Sequence, residues 1–80
     1  MYTRLRAVRE ARVLSQSALA HAAGINEGTV VGIERGHVVP RPVTLHKLAA
    51  ALGVAPQELL ADPAAYAAAR RHDSAAAALN

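Results

Sequence analysis

Two short stretches in the first half of the chain lie back to back, each opened by a capping residue and closed by a glycine. Ser15 precedes Gln16–Ala23 and Gly24 follows it; Asn26 precedes Glu27–Arg35 and Gly36 follows it. Serine and asparagine side chains accept from the unpaired N–H groups of a helix's first turn. Glycine adopts the left-handed conformation that ends a helix. Only Ile25 separates the stop at Gly24 from the next start at Asn26. Two helices so joined form a tight corner, the grammar of a helix-turn-helix running from about Ser15 to Arg35. Ile25 and Val30 stand at the spacing of a hydrophobic staple across the second cap. Leu19, Ala22 and Ala23 in the first helix, and Val30 and Ile33 in the second, are the inward positions. A capping box is missing at Ser15, whose third following residue is Ala18.

The rest of the chain repeats this punctuation. Thr3–Val13 predicts an amphipathic helix with Leu5, Val8 and Arg12 on one stripe beside Ala11, and Leu14 anchoring the turn after it. Val38-Val39-Pro40-Arg41-Pro42 predicts a loop, with Pro42 as the first residue of a fourth helix over about Val43–Leu52. Leu45, Leu48, Ala49 and Leu52 line its inner face, and Gly53 ends it. A fifth helix starts at Pro56, with Glu58 near its start and Leu59-Leu60 inward. Asp62-Pro63 restarts a cap and predicts a short sixth helix over Ala64–Arg71 with Tyr66 as its one large side chain. The alanine-rich residues 73–80 are expected to fray. Sustained strand alternation appears nowhere, so the expected fold class is all-α: five helices plus a short C-terminal sixth. Residues 1–61 make one helix-turn-helix domain, and residues 62–80 an alanine-rich extension.

Eighty residues without cysteine exclude disulfides and thiolate metal sites. About a quarter of the chain is alanine, so the 52% hydrophobic fraction overstates the core. The net charge is +3, and eight of the nine Lys+Arg residues are arginine. That balance favours a polyanionic partner, since the guanidinium fork matches phosphate geometry. No apolar run approaches the ~18 residues of a membrane span. Met1-Tyr2-Thr3-Arg4 leads into a charged amphipathic stretch, not an apolar leader, so the expected location is cytoplasmic.

Chemistry by side chains is not expected. His21, His37, His46 and His72 show no i, i+4 pair and no carboxylate cluster at ligand spacing, so no metal is predicted. No nucleophile–base arrangement and no phosphate loop after a strand appears, so neither an enzyme nor a cofactor is expected. Ser15 reads as a helix cap.

The run Leu14-Ser15-Gln16, Leu19-Ala20, Ala23-Gly24-Ile25, Thr29-Val30 and Ile33-Glu34-Arg35-Gly36 resembles the Cro/C1-type, or xenobiotic-response-element, helix-turn-helix regulators. The resemblance continues through Pro40-Arg41-Pro42-Val43-Thr44-Leu45, Leu48-Ala49, Ala51-Leu52-Gly53-Val54 and Leu59-Leu60, covering about Leu5 to Leu60. It implies a five-helix repressor-type fold in which small Ala20 lets two helices cross closely, and a partly buried ion pair between Arg9 and Glu34. It implies a bacterial or phage transcription regulator, nucleoid-associated when bound, with the third helix in the major groove of double-stranded DNA. Gln16 and Ser17 would meet phosphates, Gln16 also a base. Asn26, Glu27, Gly28, Thr29 and Gly32 would face base edges, and Arg35, His37 and Arg41 would flank them.

The reading positions depart from the family's polar pattern. Relatives carry Gln, Arg, Asn or Ser where this chain has Glu27, Gly28, Val31 and Gly32, and Val38-Val39 replace basic residues after the third helix. Sequence reading is then expected to lean on Glu27 accepting from cytosine, Thr29, thymine-methyl contact by Val31, and DNA shape. The two glycines would permit close approach of the helix backbone. Arg4, Arg6 and Arg12 read as a solvated cationic face, with DNA contact the sharper alternative. Family dimers use the fifth helix and the segment after it, which points to Ala55, Pro56, Leu59, Leu60 and Tyr66 as a homodimer surface; plain core filling is the competing role for Tyr66. The function expected is repression at a palindromic operator. Two alternatives remain: an antitoxin that binds DNA and holds a toxin through residues 62–80, and a protein-interaction module with weak base reading.

Overall fold

A computed structural model describes the backbone of residues 2–79 and the side chains of residues 2–71. The helices are α1 (Leu5–Ala11), α2 (Gln16–Ala23), α3 (Glu27–Glu34) and α4 (Pro42–Leu52), then a 3₁₀ turn (Pro56–Leu59) and α5 (Pro63–Leu79). The expected all-helical class is found, with two corrections. The fifth element is a single 3₁₀ turn, and the C-terminal helix, expected to be short, is the longest. Residues 73–80, expected to fray, have side chains outside the described residues.

The local rules account for the ends. Ser15 Oγ accepts from the Ala18 N–H at 2.9 Å, and Asn26 Oδ1 from the Gly28 N–H at 2.7 Å. Gly24 and Gly53 close α2 and α4 with φ of 68° and 70°. Asp62 Oδ1 accepts from the Ala64 and Ala65 N–H groups, and Glu58 Oε2 from Ala55 N–H. The first helix is shorter than its hydrophobic pattern predicts. Thr3 leaves it to pair with Leu60 in an isolated antiparallel bridge, Arg4 N–H donating to Leu59 O and Ala61 N–H to Tyr2 O. Arg12 and Val13 leave it at the other end, and Val13 turns the chain with a φ of 56°.

The core is one aliphatic cluster: Leu5, Leu19, Ala20, Val30, Ile33, Leu45, Leu48, Ala49, Leu52 and Leu59. Both α3 and α4 pack against α2, and the 3₁₀ turn packs against α4. Buried Ala20 lies in this cluster with Val30 of α3, where a small side chain lets helix axes approach. Ile25 and Val30 bracket the cap at Asn26, and both join the core. Every large hydrophobic in it comes from a helix or its edge, so the corner between α2 and α3 rests on packed side chains rather than on its glycine alone.

Of the residues expected at a dimer surface, Leu59 is fully buried and Tyr66 half-buried. Leu59 has no exposed surface, so it is core and cannot form a dimer contact. Tyr66 packs against the core, and its Oη donates to the Pro40 carbonyl at 2.7 Å. The side chain assigned to a partner copy thus ties α5 to the loop before α4. Ala55 is exposed, while Pro56 and Leu60 are half-buried. Among the described residues no helix is long and apolar enough to cross a membrane.

Candidate nucleic-acid interface

The corner is held by two side chains, Arg9 and Gln16, around the carboxylate of Glu34. Arg9 Nε donates to Glu34 Oε2 at 2.6 Å and Arg9 Nη2 to Glu34 Oε1 at 3.0 Å, a bidentate fork between α1 and the end of α3. Arg9 Nη1 donates to the Leu14 carbonyl at 2.7 Å, and Gln16 Nε2 to Glu34 Oε1 at 3.2 Å. Both charged residues are buried, and the hydrogen bond to Glu34 holds the Arg9 guanidinium charged beyond its ordinary range. Arg9 lies beside Val8, at the edge of a helix face that leads into the core. Its long stem spans the apolar layer while its head finds the carboxylate. No described buried side-chain polar atom lacks a partner. The network fixes α1, the start of α2 and the end of α3 in one register.

The outer face of α3 follows from its period. At about 100° per residue, Gly28, Gly32 and Arg35 fall opposite Val30 and Ile33. Asn26, Glu27, Gly28 and Arg35 are exposed, and Thr29, Val31 and Gly32 half-buried. Ser17, His37 and Arg41 are also exposed. The first turn of α2 contains no acidic residue, so its dipole stays positive at Gln16 and Ser17; in α3 the first turn carries Glu27. The resulting surface is the exposed start of one helix, the unneutralised start of another, and three exposed basic side chains. Such a surface can bind phosphates on its flanks while a helix with little bulk enters between them.

Three assignments from the sequence need correction in detail. Gln16, expected to meet only DNA, donates one amide hydrogen to Glu34. Gly32 does not offer bare backbone: a Cβ there would stand 2.7 Å from Val38 Cγ2, so Val38 already covers the position. The supposed cationic face of α1 is divided among other tasks. Arg12 Nε donates to the Leu52 carbonyl at 2.9 Å, capping the end of α4, and Arg6 pairs with Glu10 at 2.7 Å. That hydrogen bond to Arg6 lowers the Glu10 carboxyl below its ordinary range.

Sequence reasoning missed Val38. A valine six positions after an outer-face glycine is too common a pattern to signal the contact. It also missed that the loop carrying Val38 and Arg41 is anchored from below, where Pro40 is fully buried and its carbonyl is held by Tyr66.

Comparison with known proteins agrees with this geometry. The helix-turn-helix family model matches residues 5–59. The crystal structure of the restriction-modification controller protein C.AhdI from Aeromonas hydrophila superposes with a TM-score of 0.67 at 44% identity, covering 69% of this chain and 83% of that one. No curated protein matches the chain significantly. The matched span holds the corner, its capping residues and the Arg9–Glu34 fork, and on that ground the chain belongs to the Cro/C1-type helix-turn-helix family of DNA-binding transcriptional regulators.

Proposed function

We propose that the protein binds a palindromic operator as a homodimer and controls transcription there, acting as a repressor when its site overlaps the promoter. The observation that carries this reading is the placement of α3. Its inner face is locked by Val30, Ile33 and the Glu34 network, while Asn26, Glu27 and Gly28 at its start stand exposed, as do Arg35, His37 and Arg41 after it. In this reading α3 enters the major groove and the start of α2 meets the backbone. Asn26, Glu27, Gly28 and Thr29 face base edges, and Ser17, the free Gln16 hydrogen, Arg35, His37 and Arg41 face phosphates. One corner spans few base pairs, so a second copy one helical turn away supplies the remaining specificity. With Leu59 fully buried, Ala55, Pro56, Leu60 and the exposed part of Tyr66 remain of the expected dimer surface. Likeness to a restriction-modification controller protein supports a regulatory role of that kind.

Selection of binding sequences from random duplex DNA tests the reading directly. The expected result is a palindromic consensus with half-sites about 34 Å apart, bound by two copies in sedimentation. Absence of affinity for any duplex at low salt overturns it. Affinity with a steep salt dependence but no consensus overturns the operator while keeping the DNA.

A further inference from the structure

Gly28 and Gly32 leave two outward positions of α3 without side chains, but the space over Gly32 is filled. A Cβ on Gly32 would stand 2.7 Å from Val38 Cγ2 and 3.5 Å from Val38 Cβ. The chain folds back after α3 and is held there, because the Gly32 carbonyl accepts from the His37 N–H at 2.9 Å and the Val38 N–H at 3.2 Å. Two residues further on, buried Pro40 and its bond from Tyr66 hold the other end of the loop. Val38 is therefore a fixed side chain laid into a notch that only glycine leaves open. Core filling does not explain it, since 40% of the valine remains exposed and it lies outside the core cluster.

We propose that Val38, seated on Gly32, supplies the apolar probe with which the C-terminal half of α3 reads the groove, and that it recognises the methyl group of a thymine. The assignment rests on the reading that α3 enters the major groove. Valine carries no donor or acceptor, so any polar base edge packed against it loses water without compensation. In the major groove the one apolar group on a base edge is the thymine C5-methyl. The β-branched side chain and the two backbone bonds fix its orientation before binding, which lowers the entropic cost of using it. Gly32 then has a definite purpose: it transfers the reading position from the helix to the loop after it.

The test uses the full chain and the consensus duplex obtained by selection. Each symmetric pair of thymines is replaced by deoxyuridine, which removes the methyl group and keeps the hydrogen-bonding edge. One pair should weaken wild-type binding about fourfold per half-site, the worth of one buried methyl-sized group. In Val38→Ala that penalty should vanish while the salt dependence stays unchanged, which shows that the variant still folds and docks. Wild-type indifference to uracil at every thymine overturns the assignment and leaves operator binding standing. A uracil penalty that persists in Val38→Ala assigns the contact to another side chain and likewise overturns it. Tighter binding by Val38→Ala with no thymine preference overturns it too, by showing that the valine obstructs the groove. Failure of the wild type to bind any duplex overturns the DNA reading itself.

Discussion

Gln16 Nε2 lies 3.2 Å from Glu34 Oε1, so the first residue of α2 donates to the same carboxylate that grips Arg9. Position 16 thus belongs to the scaffold as well as to the proposed DNA-facing surface. A change at Gln16 should alter both.

Removing one member of the Arg9–Glu34 pair leaves the other as an uncompensated charge in a largely buried place. Arg9→Ala should cost about 3–5 kcal/mol in urea unfolding, whereas an Arg9→Met, Glu34→Leu double variant should recover most of the loss. Gln16→Ala, which deletes one neutral donor to the carboxylate, should cost about 1–2 kcal/mol. A double variant as unstable as Arg9→Ala would show that the side chains do more than compensate each other.

Val13 stands with φ of 56° and is 91% exposed, so a β-branched residue occupies left-handed backbone with nothing packed on it. That conformation costs about 1–2 kcal/mol relative to glycine, part of which glycine returns through its freer unfolded chain. Val13→Gly should raise the unfolding midpoint, with a gain of about 0.5–1 kcal/mol. An unchanged or lowered midpoint would mean the turn is not strained.

The notch over Gly32 predicts a compensating pair. Gly32→Ala improves helix propensity, but its methyl group collides with Val38, and overpacking of this kind costs about 1–3 kcal/mol. Combined with Val38→Ala the collision disappears, and the double variant should be as stable as the wild type or more so. Simple additivity in calorimetry would contradict the contact.

Tyr66 should show itself at alkaline pH. Burial raises the phenol above its ordinary range, so the folded protein holds the proton more firmly than the unfolded chain. The contribution is fully present below about pH 10, the unfolded value, and is lost as pH rises through the higher folded value. Tyr66→Phe should cost about 0.5–1.5 kcal/mol at neutral pH, from the lost bond to Pro40, and should flatten the alkaline decline. An unaltered decline in Tyr66→Phe would place its origin elsewhere.

Arg41 lies exposed on the loop that Tyr66 anchors. If it neutralises one phosphate, Arg41→Ala should lower the slope of log affinity against log salt by about one unit, weakening all sequences alike. Thr29→Ala should instead relax preference at one symmetric pair of base positions. A uniform effect at Thr29 and a sequence-selective one at Arg41 would reverse the proposed orientation of α3 in the groove.

Much of the helical frame was legible because its signals are local. A serine accepts from an N–H three residues on, and a glycine turns the chain where it stands, so Ser15, Gly24, Asn26, Pro42 and Gly53 mark their boundaries without reference to the rest of the fold. The start of α1 was not legible in this way. The pattern around Leu5 is helical, but Thr3 is withdrawn to bridge Leu60, a partner on the far side of the chain.

The interface divides along the same line. The exposure of Gly28 follows from helical period, opposite Val30 and Ile33, and that of Asn26 from its place as the cap outside the helix; the Arg9–Glu34 fork was named from family resemblance. No local rule places Val38 over Gly32, turns Tyr66 toward Pro40, sends Arg12 to the last carbonyl of α4, or buries Leu59 completely. Each of these requires the path of the chain after it has left one helix and before it enters another. The sequence by itself determined where α2, α3 and α4 begin, which of their large side chains face the core, and that the face of α3 carries two glycines. Only the tertiary structure decided what fills the space those glycines leave, because a missing side chain specifies a vacancy and the returning backbone specifies its occupant.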